Sequence, residues 1–278
     1  MKNIAFYNGI TGSLESMHIP MCDRVCFFGD GVYDACYSRN RKTFTLDEHV
    51  DRLYKSAELV NITIPLPKHE LISTVISLVE QCDRDEHFVY VQVTRGTAPR
   101  NHVFDGKKGN LWITVTPKNV TPPTKRFKLI SVPDKRYNFC NVKTLNLLPN
   151  VLAAQQAHSQ DCDEAVFHIN GKVTECAHSN IHLLKNNVLY TSPCDDKILE
   201  GIARRHLINA CSFLGIDVIE ERFDLCDIPT CDELYVTSAG TFCSPVSSVD
   251  GKFCGGKNPT LTHALQDFLY SEFINETR

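Results

Sequence analysis

The chain has 278 residues, of which 42% are hydrophobic and 22% charged, so it is long enough to bury a substantial core and to form two modest domains. The formal net charge is −4, and no cluster of lysine and arginine is interleaved with aromatics, which argues against a nucleic-acid partner. No run of 18 apolar residues occurs and residues 1–9 lack the apolar core of a secretory signal, so we expect a soluble, cytoplasmic protein that does not span a membrane.

The first part of the chain predicts a sheet wrapped by helices. Thr45 and Glu48 are spaced as a capping box, and the apolar residues that follow to position 60 recur at helical spacing. A second amphipathic helix is expected over 69–82. The runs 88–94 and 111–116 are rich in β-branched and aromatic residues, which predicts two strands that pair across the loop between them.

The segment 118–124 is the predicted interdomain linker. Three prolines between 117 and 123 fix the backbone and remove hydrogen-bond donors, so neither a helix nor a strand continues through it. We therefore expect an N-terminal α/β domain over 1–117 and a C-terminal α/β domain over 125–278 that carries Lys143.

Strands and helices alternate along the second predicted domain. Asn170 and Gly171 are the preferred pair for a type I′ turn and predict a hairpin. Strands are expected at 127–132, 165–169, 172–174, 181–184, 188–191, 217–221 and 233–237. Helices are expected at 151–158, 201–213 and 261–273.

Lys143 stands out because it is the only lysine or arginine between Arg136 and Lys172, inside the otherwise neutral run 141–148. Lysine is normally solvated, so a surface lysine whose stem lies along apolar neighbours is one interpretation. A lysine removed from water loses its proton more readily and can attack a carbonyl carbon. Lys143 is therefore a candidate nucleophile.

Two glycines around Asp30 predict a tight, sterically open turn that can face a ligand, although Gly-x-Gly is equally typical of a plain turn. This turn is the first of several motifs that follow one another in a fixed order. The motifs occupy 28–33, 48–53, 142–146 and 173–175.

Together these motifs resemble those of the fold-type IV aminotransferases, which use pyridoxal 5′-phosphate, and most closely the D-amino acid aminotransferases. The resemblance extends from Tyr7 to Val249 and includes the longer stretches 48–58 and 92–97. It implies two α/β domains with the cofactor at the domain interface, a homodimer, and small-molecule substrates that are D-amino acids and 2-oxo acids.

The resemblance implies roles for the residues that would hold the cofactor ring. Lys143 matches the Schiff-base lysine, and Glu175 matches the acid that pairs with the pyridine nitrogen and keeps it protonated. Arg136 matches an arginine near the phenolic oxygen. On residue type alone, Glu175 is equally a solvated strand carboxylate and 134–136 a solvated turn.

Arg52 matches the arginine that grips the cofactor phosphate, for which a planar, permanently charged guanidinium is suited. An ion pair with Glu48, at i and i+4 on one helix, is the alternative. Asp34 stands where the family commonly carries glutamate, a change that the sequence does not explain.

Two further segments match phosphate-binding features of the family. Ile202 and Ala203 would offer backbone amides and the positive end of a helix dipole. Ser238, Ala239 and Gly240 match the second phosphate-binding turn. Ala203 and Ala239 stand where many relatives carry threonine, so two hydroxyl contacts are lost.

Four residues are implied as substrate-binding: Tyr33, Tyr90, Arg100 and His102. Arg100-Asn101-His102 matches an Arg-x-His motif that reaches from the neighbouring subunit and, with Tyr33, traps the substrate carboxylate. Anchoring the carboxylate on one side decides which α-hydrogen points at the catalytic lysine. A basic surface loop is the alternative interpretation of 100–108.

The implied reaction is a ping-pong transamination between D-alanine and 2-oxoglutarate that gives pyruvate and D-glutamate. A branched-chain L-aminotransferase and aminodeoxychorismate lyase, both of the same fold, are the alternatives, and the Arg-x-His motif argues against them. A catalytically silent cofactor-binding protein is a third, suggested by the missing threonines. The joint presence of Lys143 and Glu175 argues against it.

The thirteen cysteines are scattered and form no Cys-x-x-Cys pair, so we expect reduced, mostly core-filling thiols. His178 and His182 would lie about 13 Å apart on one face of a strand, too far to chelate one ion unaided. We therefore expect no metal site.

Overall fold

A computed structural model describes residues 3–106 and 108–278 and divides them into two compact units. The first unit comprises Met1–Val120, Val142–Asn146 and Phe273–Arg278, and the second comprises Thr121–Asn141 and Leu147–Glu272. The boundary after Val120 falls inside the predicted linker. Lys143, however, belongs to the first unit and not to the C-terminal one that was expected to carry it.

In the part of the chain that the structure describes, the first unit holds a six-stranded sheet whose pairings are antiparallel. Its spatial order is β2-β1-β6-β5-β3-β4. The strands are β1 Ile4–Tyr7, β2 Ile10–Gly12, β3 Gly31–Arg39, β4 Lys42–Thr43, β5 His87–Thr94 and β6 Asn110–Pro117. The predicted pairing of 88–94 with 111–116 is confirmed by β5 and β6.

Helices α1 Arg24–Phe28, α2 Leu46–Leu59 and α3 Lys68–Glu80 belong to this unit. The last two confirm the helices expected from the sequence. Val50 and Leu53 of α2 are buried together with Leu71 and Val75 of α3 in one cluster with the sheet residues. Burial of these apolar faces is the main source of the unit's stability.

The predicted capping box at the start of α2 is wrong. Thr45 adopts a left-handed conformation with φ of 50°, and its side chain makes no cap hydrogen bond. Instead the Thr45 N–H donates to Oε1 of Glu276, at 2.8 Å. A carboxylate near the end of the chain therefore satisfies this amide, a contact that local spacing cannot reveal.

Over the described residues, the second unit forms a nine-stranded mixed sheet in the order β12-β11-β10-β13-β14-β7-β8-β9, with β15 paired to β14. The strands are β7 Phe127–Pro133, β8 Glu164–Ile169, β9 Lys172–Cys176, β10 Asn180–Lys185, β11 Val188–Thr191, β12 Asp217–Ile219, β13 Glu233–Thr237, β14 Ser244–Val249 and β15 Lys252–Phe253. The predicted hairpin at Asn170 and Gly171 is confirmed, since both residues have positive φ, 51° and 88°.

The remaining helices are α4 Leu148–His158, α5 Ile202–Phe213 and α6 Pro259–Glu276, which confirm the three expected there. Among the described residues, no helix combines the length and apolar character needed to cross a membrane. All thirteen cysteines are free thiols, and seven of them are buried, which confirms the core-filling interpretation for those seven.

Candidate active site

Backbone hydrogen bonds hold the segment around Lys143 against strand β3. The Tyr33 N–H donates to the Lys143 carbonyl at 2.9 Å, and the Leu145 N–H donates to the Gly31 carbonyl at 3.1 Å. The Lys143 N–H donates to Oγ of Ser56 on α2, also at 3.1 Å. These bonds are why this segment belongs to the first unit.

The side chain of Lys143 lies on an aromatic surface that β3 and β5 provide. Its Nζ is 4.5 Å from the centroid of the Tyr33 ring, and the Tyr33 and Tyr90 rings stack at 5.4 Å with an interplanar angle of 26°. A half-buried ammonium over an aromatic face is stabilised by a cation–π interaction. The structure thus brings together Lys143 and two of the four predicted substrate-binding residues.

Arg52 faces a buried carboxylate of β3. Its Nε and Nη2 donate to Oδ2 and Oδ1 of Asp34, each at 2.8 Å, and Nδ1 of His49 lies 2.7 Å from Oδ1. Burial alone would raise the pKa of Asp34, but Arg52 and His49 lower it well below its usual range. Burial lowers the pKa of His49. Asp34, which the sequence left unexplained, therefore orients Arg52.

Arg100 and His102 lie on an exposed loop that follows β5 and share one aromatic neighbour, Phe28. The guanidinium carbon of Arg100 is 5.2 Å from the centroid of the Phe28 ring, and the His102 ring centroid is also 5.2 Å from it. The structure thus brings these two predicted carboxylate-binding residues together. Their joint action with Tyr33 stays a prediction.

In the second unit, Glu175 of β9 is 6% exposed and bound on both oxygens. Its Oε1 accepts from Nη1 of Arg136. Its Oε2 accepts from Nδ2 of Asn180 and from the Leu199 N–H, each at 3.1 Å. The alternative of a solvated strand carboxylate is wrong.

Arg136 is equally enclosed, because its side chain is 7% exposed. Its Nε and Nη2 donate to the two oxygens of Asp134 at 3.0 and 2.7 Å. Burial alone would lower the pKa of Arg136, but the hydrogen bonds to Asp134 and the charge of Glu175 raise it. The solvated-turn interpretation is wrong. Whether Arg136 also lies near a cofactor oxygen stays a prediction.

No side chain caps the start of α5, where Gly201 precedes Ile202 and Ala203 in an extended conformation. A Cβ at Gly201 would lie 2.0 Å from Oδ1 of Asn180, so only glycine fits there. Asn180 also donates to Glu175, and it therefore ties the helix start to that carboxylate. No sequence motif marks this asparagine, and the one signal for it is its position five residues after Glu175, at the start of the next strand.

Ser238, Ala239 and Gly240 form a turn directly after β13. The N–H groups of Thr241 and Phe242 both donate to the Ser238 carbonyl, at 3.2 and 3.1 Å. The hydroxyls of Ser238 and Thr241 are hydrogen-bonded at 2.8 Å. The predicted second phosphate-binding segment is thus a compact, internally bonded turn.

His182 anchors the strand that leads into this turn. Its Nε2 and Nδ1 lie 2.9 Å from the hydroxyls of Thr237 and Thr191, and burial, followed by the nearby charge of Arg204, lowers its pKa to about 3. His178 lies in the turn before β10 and not on that strand, which corrects the expectation that the two histidines share a strand face.

Comparison with known proteins gives a match to the family described as amino-transferase class IV, over residues 31–249. The D-alanine aminotransferase of Listeria monocytogenes serotype 4b (strain F2365) is 38% identical over 267 residues, which are 94% of this chain and 92% of that protein. The D-alanine aminotransferase of Bacillus licheniformis is 35% identical, over 98% of this chain and 97% of that protein.

Among solved structures, the branched-chain aminotransferase from Thermoproteus uzoniensis with norvaline superposes with a TM-score of 0.89 at 20% identity, over 98% of this chain and 96% of that one. The branched-chain amino acid aminotransferase from Escherichia coli gives 0.88 at 20% identity, over 100% and 96%. At this identity the likeness concerns the fold alone. The predicted fold, the mixed α/β fold of fold-type IV, is confirmed.

Proposed function

Because this chain belongs to the class IV aminotransferases, we propose that it is a pyridoxal-phosphate-dependent transaminase of D-amino acids. The proposed substrates are D-alanine and 2-oxoglutarate, converted to pyruvate and D-glutamate by a ping-pong mechanism. One observation carries the proposal: relatives named D-alanine aminotransferase are 33% to 38% identical over at least 91% of the chain. The superposed branched-chain enzymes reach 20%.

The donor groups present suit pyridoxal phosphate. The half-buried amine of Lys143 can hold an aldehyde carbon covalently, and the buried carboxylate of Glu175 suits a protonated ring nitrogen. The uncapped amides of Ile202 and Ala203 and the positive helix end suit a phosphate. When bound, this cofactor withdraws electrons from the α-carbon of the substrate, so that the α-proton can leave.

Lys143 has two tasks in this proposal. Its Nζ first holds the cofactor and, once the substrate amine has taken its place, removes the α-proton as a base. The Tyr33 ring 4.5 Å from Nζ stabilises the ammonium that results. Because the Lys143 carbonyl is bonded to Tyr33 and its N–H to Ser56, the side chain works from a fixed backbone.

In this proposal Glu175 pairs with the cofactor ring nitrogen and Arg52 with the cofactor phosphate. Asn180 and the Leu199 amide orient Glu175, and Arg136 balances its negative charge. Arg52, oriented by Asp34, supplies a guanidinium for the phosphate. The turn Ser238-Ala239-Gly240 contributes further backbone amides.

Stereochemistry in this proposal follows from the anchoring of the substrate carboxylate. Arg100 and His102 are cationic or hydrogen-bonding groups suited to it, and Tyr33 adds a hydroxyl. We include in the proposal a cytoplasmic homodimer in which Arg100 and His102 of one copy serve the substrate of the other. With the carboxylate fixed, one α-hydrogen faces Lys143 and the D-enantiomer is selected.

The deciding experiment incubates the purified protein with D-alanine and 2-oxoglutarate and measures pyruvate together with the handedness of the glutamate formed. We expect pyruvate and D-glutamate in equal amounts. L-leucine and aminodeoxychorismate, supplied separately, test the alternative reactions. Turnover of L-leucine without turnover of D-alanine would replace the proposal with a branched-chain activity, and pyruvate from aminodeoxychorismate alone would replace it with a lyase.

A further inference from the structure

Arg24 is a buried arginine that the proposed mechanism does not use. It is 4% exposed and lies at the start of the short helix α1. Its Nε donates to Oδ2 of Asp30 at 2.8 Å. Its Nη1 donates to the Asn101 carbonyl at 2.5 Å, and Nη2 lies 3.4 Å from the His102 carbonyl. One guanidinium thus connects the turn after α1 to the backbone of the exposed loop.

The loop itself, residues 100–104, belongs to no helix or strand, and its residues are exposed. Such a segment is mobile unless other groups hold it, because few buried contacts oppose its conformational entropy. Arg24 donates hydrogen bonds to the backbone carbonyls of the last two residues of the Arg-x-His motif, Asn101 and His102. Burial makes these bonds costly to break, since a displaced guanidinium would remain away from water.

A second arginine, Arg95, binds the same carboxylate and also contacts the far end of the 100–104 loop. Arg95 Nε donates to Asp30 at 2.9 Å, and its guanidinium carbon lies 3.8 Å from the centroid of the Phe104 ring. Its Nη1 and Nη2 donate to the carbonyls of Asn61 and Val60. Asp30 therefore joins two arginines, each of which contacts the loop at a different residue.

Phe28 completes the arrangement on the side-chain face of the loop. The guanidinium carbon of Arg24 is 5.0 Å from the centroid of its ring, which also contacts Arg100 and His102. Arg24 thus holds the loop backbone and packs against the ring that the Arg100 guanidinium and the His102 ring also contact. A cation–π contact of the kind that Arg100 makes favours a definite position for the guanidinium.

We infer that Arg24, anchored by Asp30, is a positioning residue that fixes the 100–104 loop so that Arg100 and His102 meet the substrate carboxylate. The inference rests on the proposed function. The carboxylate contacts persist through the reaction, so they contribute equally to binding and to the transition state. Loss of their alignment therefore raises KM and leaves kcat nearly unchanged.

The test compares Arg24→Lys with a matched control, Arg41→Lys, in the cofactor-loaded enzyme. Lysine keeps the charge at position 24 but cannot form the planar fork that spans Asp30 and the loop carbonyls. Arg41 also donates to a backbone carbonyl, that of Cys82 at 2.7 Å, but among the described residues it takes no part in the hydrogen bonds that hold the 100–104 loop. KM and kcat for D-alanine are measured, together with the inhibition constant of propionate, which carries a carboxylate and no amine.

For Arg24→Lys we expect the KM for D-alanine and the inhibition constant of propionate to rise about tenfold, with kcat within about threefold of wild type. Arg41→Lys leaves all three unchanged. An equal loss of kcat in folded Arg24→Lys, or an unchanged KM, overturns the inference while the proposed function stands. If the wild-type enzyme does not transaminate D-alanine, the proposed function falls and the inference falls with it.

Asp30→Asn serves as the second variant should Arg24→Lys fail to fold. It leaves both arginines in place and removes the charge that joins them. We expect the same rise in KM and in the propionate constant with a preserved kcat. Hydrogen exchange of the peptide that covers the 100–104 loop accompanies both variants and is expected to accelerate, and unchanged exchange and KM would contradict the positioning role.

Discussion

Tyr33 and Lys143 are joined twice, since the Tyr33 N–H donates to the Lys143 carbonyl at 2.9 Å and the Tyr33 ring centroid lies 4.5 Å from Lys143 Nζ. The backbone hydrogen bond fixes the position of the Lys143 main chain, and the Tyr33 ring restricts the conformations of its side chain. The Lys143 amine is thereby positioned by a strand of the first unit, although the two residues are 110 positions apart in sequence (143 − 33).

Removal of the Lys143 amine is expected to abolish transamination. Lys143→Ala should lower kcat with D-alanine at least about a thousandfold, because the covalent holder of the cofactor and the base for the α-proton are lost together. Borohydride reduction of the cofactor-loaded wild type should attach the cofactor to the peptide that contains Lys143. Lys135→Ala, at an exposed lysine, is the control and should keep full activity. A tag on any other peptide would contradict the assignment.

A neutral side chain at Glu175 is expected to slow the chemistry and to spare substrate binding. Glu175→Gln keeps the shape but removes the charge proposed to keep the ring nitrogen protonated, and kcat should fall about a hundredfold. Steady-state kinetics with D-alanine measure the effect. Glu220→Gln, which disturbs the Arg204 pair of the same unit at 2.6 Å, is the matched control and should change kcat less than twofold. Equal effects of both variants would assign Glu175 a purely structural role.

Secondary structure followed from the sequence where the hydrophobic period is regular, as in α2, α3, β5 and β6. Strand β3 was not predicted because its buried face includes two polar residues, Asp34 and Ser38, so no alternation of polar and apolar residues marks it. Strand β14 was not predicted because it begins with Ser244 and Pro245, and neither residue type is typical of a buried strand. Polar residues in these strands conceal the period.

The candidate site also has a part that the sequence predicts and a part that it does not. Lys143 and Glu175 carry recognisable motifs, whereas their supporting contacts depend on pairs far apart in sequence. Asp34 orients Arg52 across 18 residues, and Arg24 reaches Asn101 across 77. Contacts between residues this far apart in sequence arise only when the sheet forms. Motif spacing therefore predicts which groups react but not the contacts that hold them.

The free energy of unfolding is expected to fall below neutral pH because His182 is buried in its neutral form. Burial lowers its pKa to about 3 from the ordinary 6.5, so the folded protein keeps the ring neutral while the unfolded chain takes up a proton below pH 6.5. The stabilisation is complete above pH 6.5 and declines as the pH falls toward 3. At pH 5 the loss should be about 2 kcal/mol.

Urea denaturation at pH 7.5 and pH 5 measures this loss in the wild type and in His182→Gln, whose amide can still bond Thr191 and Thr237. Between pH 7.5 and pH 5, the free energy of unfolding of His182→Gln should fall by about 2 kcal/mol less than that of the wild type. His18→Gln, at an exposed histidine, is the control and should keep the wild-type dependence. The same pH dependence in all three proteins would show that His182 does not remain neutral.

Threonines introduced at the two proposed phosphate-binding segments should tighten cofactor binding. Ala203 lies in the first turn of α5 and Ala239 in the turn after β13, and neither side chain carries a hydroxyl that could donate to a phosphate. A hydrogen bond to a charged group contributes about 1.5–3 kcal/mol, so Ala203→Thr and Ala239→Thr should each lower the dissociation constant of pyridoxal phosphate about tenfold. Pyridoxal, which lacks the phosphate, is the control ligand, and its dissociation constant should be the same for the wild type and both variants. Tighter binding of both ligands, or of neither, would place the phosphate elsewhere.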